Sequence, residues 1–270
     1  MYFTLAKMIW SFIFPKPRPI IELLKLHFGR SPVKFPIISA TFKQYRQPCI
    51  SQAFRAYAQS ANRKCVLVGI STYDASLRCS DLMHPDRSEQ QREGPVRFGD
   101  VTLDGGQSLS FAAQGLYLIK DKDYKLAVFI TDGGRFDEDV LIEVVSKDRA
   151  ASRRFLSELR TLIDQKSIYK GKVISITENR HEPPQITFHD VPKIDKAHLI
   201  LPQQIIEQIE KHTSYFSEHR DLLRSRGLHL KRGLLLYGPP GTGKTLTMMH
   251  LISTMPERTT ILRKQQAQAN

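Results

Sequence analysis

The sequence predicts an α/β chain in three stretches. Residues 1–50 read as an N-terminal extension and linker, 51–185 as a mixed α/β domain, and 186–270 as the start of a second α/β domain with an incomplete sheet. Three observations carry this. Short apolar runs of strand type recur through the middle of the chain, and two of them lie close enough for a hairpin. A long run among them repeats apolar residues at helical spacing. Near the C-terminus an apolar run, a glycine-rich loop and a helical run follow without a break.

Composition agrees with a globular chain. With 270 residues it suits two ordinary domains. Hydrophobic residues at 41% and charged residues at 25% exclude a collagen, a disulfide-stapled miniprotein and a wholly disordered chain. The formal net charge of +13 is uneven: +8 over 1–100, zero over 101–200 and +5 over 201–270. A basic surface attracts nucleotide phosphates, nucleic acid, anionic lipid or acidic proteins. No nucleic-acid motif accompanies it, so a solvated face is favoured over nucleic-acid binding. Cys49, Cys65 and Cys79 form an odd set without paired metal-ligand spacing, so they read as reduced thiols of a cytoplasmic protein, with no zinc site. No apolar stretch reaches about 18 residues, so no transmembrane span is expected.

The elements follow in order. Met1 to Phe14 is mostly apolar, and Pro15 to Pro19 reads as a stiff linker. A terminal segment packed on the body is favoured there over a peripheral membrane anchor. Ile20 to Phe28 suits a short amphipathic helix ended by Gly29. Gln52 to Ala61 suits a helix, Cys65 to Ile70 a strand, and the polar stretch 80–95 a loop. Asp104-Gly105-Gly106 marks a tight turn. Gly115 to Lys120 and Lys125 to Thr131 flank a four-residue polar connection and predict a hairpin. Val140 to Ser146 is a further strand. Asp148 is placed to cap a helix running to about Gln165, with Phe155, Leu156, Leu159, Leu162 and Ile163 on one face. Lys172 to Thr177 is another strand, and His181-Glu182-Pro183-Pro184 breaks the chain at the domain boundary. Asp132, Asp137, Glu138 and Asp139 cluster around two glycines; their spacing matches no cation cage, so a solvated turn is favoured. The scattered histidines form no HExxH pair.

One motif carries chemistry. The apolar run Gly233 to Tyr237, read as a strand, feeds into Gly238-Pro239-Pro240-Gly241-Thr242-Gly243-Lys244-Thr245, and a helix follows over Leu246 to Thr254. This is the full GxxxxGK[ST] pattern in strand–loop–helix context. A loop that wraps a phosphate must turn its amides inward, and Gly238, Gly241 and Gly243 permit the dihedrals and close approach this needs. The helix start adds free amides and a positive dipole end. Lys244 can reach the β- and γ-phosphates, and the Thr245 hydroxyl can ligate Mg²⁺. The eight residues together are expected to hold ATP with its magnesium.

The run GLLLYGPPGTGKT resembles the Walker A segment of AAA+ ATPases, especially the cell-division-cycle and proteasomal type. Residues 199–226 resemble the helical lead-in of such modules, with Leu201-Pro202 starting a helix and Ile205, Ile206 and Ile209 on one face. The resemblance covers roughly 186–262. It implies a P-loop NTPase domain at 186–270, a phosphate site over Gly238–Thr245, and an N-terminal domain that takes a protein substrate or adaptor. It further implies a homo-oligomeric ring that converts hydrolysis into remodelling of a partner.

The sequence also departs from the family. Only 25 residues follow Thr245, and 263–270 is polar and of low complexity. The second acidic motif, the polar sensor, the arginine finger and the helical lid of the family are therefore expected to be missing, as in a truncated product. Hydrolysis needs a group that orients water and stabilises transition-state charge. The 233–237 strand would keep open edges, and weak nucleotide binding and poor stability of this part are expected. The alternative reading is a non-enzymatic protein-binding module formed by the middle domain.

Overall fold

The computed structural model describes residues 17–59, 63–72, 77–87, 90–132, 139–179 and 182–263. The apolar start 1–14, the turn 133–138 and most of the polar tail lie outside the described residues. The chain divides into two compact units: 1–102 with 107–168 and 178–185, and 103–106 with 169–177 and 186–270.

The first unit is built on a seven-stranded sheet. Its strands are β1 (Ile37–Lys43), β2 (Lys64–Ser71), β3 (Arg92–Gly94), β4 (Arg97–Thr102), β5 (Ser108–Lys120), β6 (Lys125–Thr131) and β7 (Asp139–Val145). Their order is β1-β7-β6-β5-β2-β3, with β4 also paired to β5. Every pairing is antiparallel. The predicted hairpin is present, with Lys120 opposite Lys125 in register. β5 is longer than its apolar core suggested: its first half pairs with β4 and its second half with β2 and β6.

Central β6 is buried from Leu126 to Thr131 on both faces, which explains why its sequence runs apolar without alternation. On one face lies α1 (Ile20–Phe28), whose Ile20, Ile21, Leu23 and Leu24 join Leu77, Leu82, Leu116, Phe129 and Val145 in one core cluster. On the other lie α2 (Gln47–Gln59) and α4 (Arg149–Gln165). There Phe54 stacks on Tyr117 at 4.2 Å and Tyr57 meets Phe155 edge-on at 5.0 Å. Residues 20–43 therefore supply a core helix and an edge strand rather than a bare extension, because α1 has a face of fully buried aliphatic side chains. Asp148 caps α4 as expected, its carboxylate accepting from the Ala150 amide at 2.8 Å.

Three sequence expectations need correction here. The helix expected from Gln52 starts at Gln47, because Gln47, Pro48, Cys49 and Ile50 are all buried and Gln47 Nε2 donates to the Ala113 carbonyl at 2.9 Å. The stretch 80–95 is not wholly loop. A one-turn helix, α3 (Cys79–Leu82), is pinned where the Cys79 amide donates to the buried Glu143 carboxylate at 2.6 Å, and β3 pairs with β2. The proline-containing stretch expected to break the chain begins β9 (Glu182–His189). β9 is an edge strand beside β8 (Val173–Asn179), where prolines without N–H groups are tolerated.

Arg63 ties the helical face to the hairpin turn. Its Nε donates to Asp121 at 2.8 Å, its two terminal nitrogens donate to Glu158 at 2.7 and 3.1 Å, and its guanidinium lies 3.8 Å over the Tyr57 ring. The Tyr57 hydroxyl in turn lies 3.2 Å from that of Tyr124. Cys49, Cys65 and Cys79 are free thiols. Among the described residues no helix is long and apolar enough to cross a membrane.

The second unit holds α5 (Gln203–His212), α6 (Ser214–Glu218), α7 (Arg220–Ser225), α8 (Lys244–Thr254) and β10 (Thr260–Leu262). β10 runs parallel to β8, Thr260 opposite Val173. Of the three isoleucines expected on one face of α5, Ile206 and Ile209 are buried and Ile205 is exposed.

Candidate nucleotide-binding loop

The eight predicted site residues run from a loop, Gly238–Gly243, into the first turn of α8. Gly241 and Gly243 both have φ of 81°, a left-handed conformation that a side chain disfavours. Gly243 is the N-cap of α8, and its carbonyl accepts from the Thr247 amide at 2.8 Å and from the Thr247 hydroxyl at 2.9 Å. Among the described residues, the amides from Gly241 to Leu246 meet no backbone or side-chain acceptor. These are the unpaired donors that any helix start leaves, here extended by two loop residues.

Lys244 folds back over the loop. Its ammonium donates to the Gly238 carbonyl at 2.9 Å and the Pro239 carbonyl at 2.6 Å, and lies 3.4 Å from Thr242 Oγ1. Thr242 Oγ1 itself donates to the Pro239 carbonyl at 2.9 Å. Pro240 and Thr245 are exposed. A cluster of amide donors, one ammonium and one hydroxyl fits a triphosphate with its metal: the amides and Lys244 would hold the phosphates and Thr245 the magnesium.

The expected strand at 233–237 is not formed. Leu235 is 89% and Tyr237 96% exposed, and the segment belongs to neither sheet. A strand draws its hydrogen bonds from a neighbour, and no described strand pairs with this segment. An exposed apolar run is therefore present at 233–237, but outside any strand.

Sequence reasoning missed what seats α8. Ile194 lies across the helix and bonds to it twice: its amide donates to Ser253 Oγ at 3.2 Å, and its carbonyl lies 2.9 Å from His250 Nδ1. A carbonyl only accepts, so Nδ1 carries a proton, and Nε2 is buried without a hydrogen-bond partner among the described residues. The i, i+3 spacing of His250 and Ser253 was the available signal, since it places both on one helix face. At the far end, Lys170 pairs with Glu257 at 2.5 Å, and the Thr259 hydroxyl donates to the Tyr169 carbonyl at 2.7 Å.

A glycine loop that opens a helix and gathers a lysine over its centre has the loop–helix part of the P-loop pattern. No family model matches the chain. Curated relatives do. Over 77 residues, 28% of this chain and 12% of the relative, it is 39% identical to a proteasome-associated ATPase of Renibacterium salmoninarum. Over 140 residues, 51% of this chain and 32% of the relative, it is 29% identical to a 26S proteasome regulatory subunit 8 homolog of Saccharomyces cerevisiae. Over 137 residues, 49% of this chain and 29% of the relative, it is 28% identical to a proteasome-activating nucleotidase of Methanocaldococcus jannaschii. The matches thus span a third or less of each relative's length. Over the matched residues the chain is similar to these proteasomal proteins, and to an AAA ATPase forming ring-shaped complexes of Corynebacterium glutamicum.

Proposed function

We propose that this chain binds ATP with Mg²⁺ through Gly238–Thr245, as part of a protein that couples ATP hydrolysis to remodelling of protein partners. The observation that carries the reading is the convergence of the open amides of 241–246 with the Lys244 ammonium on one loop. Lys244 would exchange its bonds to Gly238 and Pro239 for phosphate oxygens, and Thr245 would take the metal. Relatives named as ring-forming AAA ATPases and proteasome-associated ATPases support a ring assembly and a protein substrate for the whole protein. Titration with a fluorescent ATP analogue tests the loop: binding should require Mg²⁺ and vanish in Lys244→Ala. Equal binding by that variant would refute the site.

A second reading, that the first unit binds a protein partner without enzymatic activity, is favoured by its own two-faced core around β6. Limited proteolysis separates the two. A resistant fragment ending near residue 185 supports an autonomous first unit. Protection of 200–260 that depends on ATP and Mg²⁺ supports the nucleotide reading.

A further inference from the structure

The first unit carries a basic groove that its fold does not explain. Two adjoining concavities, of about 280 and 420 Å³, share Arg30, Phe35 and Lys147. Six cations line them: Arg30, Lys34, Lys120, Lys122, Lys125 and Lys147. Among the described residues none of the six is in an ion pair. The carboxylates nearby are mostly committed elsewhere. Asp121 holds Arg63, and Asp148 caps α4, which leaves Asp123.

Stability gives no reason for this arrangement. Lys120 and Lys125 stand directly opposite one another across β5 and β6, and like charges so placed are destabilising. The same two lysines press on His27, whose pKa burial already holds low. A structure that bears such crowding gains if an anion offsets it.

The lining also selects among anions. Phe28 and Phe35 meet edge to face at 5.1 Å and are half-buried, and the Arg30 guanidinium lies 4.8 Å over the Phe35 ring, so an aliphatic side chain can lie beside the two rings. Three aspartates interrupt the cations, which opposes a phosphate backbone of unbroken negative charge but suits a chain whose carboxylates are spaced by apolar residues. We infer that this groove binds an acidic polypeptide segment of a partner protein, with an aliphatic residue beside Phe28 and Phe35. This rests on the partner-binding reading of the first unit; proteolysis tests that reading, and the titration below tests the groove.

The test is fluorescence anisotropy on the full chain with a fluorescein-labelled dodecapeptide of Asp and Glu around a central Leu. The peptide should bind at low salt, and Lys120→Glu and Lys147→Glu should each weaken it about fivefold. Arg153→Glu, an exposed α4 change of equal charge outside the groove, should match the unaltered protein. Affinity should fall as salt rises to about 0.15 M, where the screening length is about 8 Å. Equal loss in all three variants would overturn the groove. So would binding of a single-stranded oligonucleotide or of phosphatidylserine vesicles in preference to the peptide.

Discussion

Replacing Arg63 by Met keeps the length of the side chain and removes its charge. The change deletes three charge-assisted hydrogen bonds and the contact over Tyr57. Asp121, 15% exposed, is then left without its cation, whereas Glu158, 40% exposed, can turn to water. A desolvated cation–π contact contributes about 2 kcal/mol and a charged hydrogen bond to a buried group about 1.5 kcal/mol. Discounting the Glu158 arm for solvent screening, the expected loss is about 3 kcal/mol, or about 6–12 °C in melting temperature. The pH dependence is a second readout. Burial pushes the Asp121 carboxyl up, but hydrogen bonds from the Lys122 amide and Arg63, with the Arg63 charge, outweigh this and hold it below the usual range. A depressed carboxylate stabilises above its unfolded value of about 3.9, and the contribution is lost as pH falls through the lower folded value. The gap between the two proteins should therefore be full at pH 7 and narrow below about pH 4. Calorimetric melts across that range decide it. A loss under about 0.5 kcal/mol, or a gap that does not change with pH, would refute the network as a support of the first unit.

Gly171 has φ of 71° and a Cβ there would meet the Pro256 carbonyl oxygen at 2.4 Å, so Gly171→Ala should destabilise the second unit by about 2 kcal/mol or more, read as faster proteolysis of 200–260. Asp148→Ala removes the α4 cap and should cost about 1 kcal/mol in urea unfolding. Burial pushes the Cys65 thiol up to about 11, so iodoacetamide should label it slowly at pH 8 and faster as pH approaches 11, with Cys79 slower still because it is fully buried. Rapid labelling of either thiol at pH 8 would contradict the packing around β2 and α3.

Legibility followed the range of the interactions. The β5–β6 hairpin, the Asp148 cap, the α4 face and the helix after the glycine loop all depend on residues within a few positions of one another, and all were readable. The start of α2 was not, because Gln47 is held by the Ala113 carbonyl on a distant strand. The α3 turn escaped for the same reason: Glu143, the group that pins it, is remote in sequence. The glycine loop ahead of α8 was legible from pattern alone, since glycine freedom and a lysine at fixed spacing are local. The seat of α8 on Ile194 was not, because it needs His250 and Ser253 to meet a backbone group far upstream. Strand 233–237 was overread, since hydropathy marks a run fit for a sheet without showing what pairs with it.

The pairing of β1 with β7 sets a timetable for synthesis. Residues 37–43 emerge from the ribosome about a hundred residues before their partners at 139–145. At translation speeds of about 5–20 residues per second, that strand waits on the order of 5–20 s before it can be zipped into the sheet. A nascent chain in that interval offers an apolar ribbon to whatever is near, so early handling by a ribosome-bound chaperone would bear on yield more than the strength of the finished core.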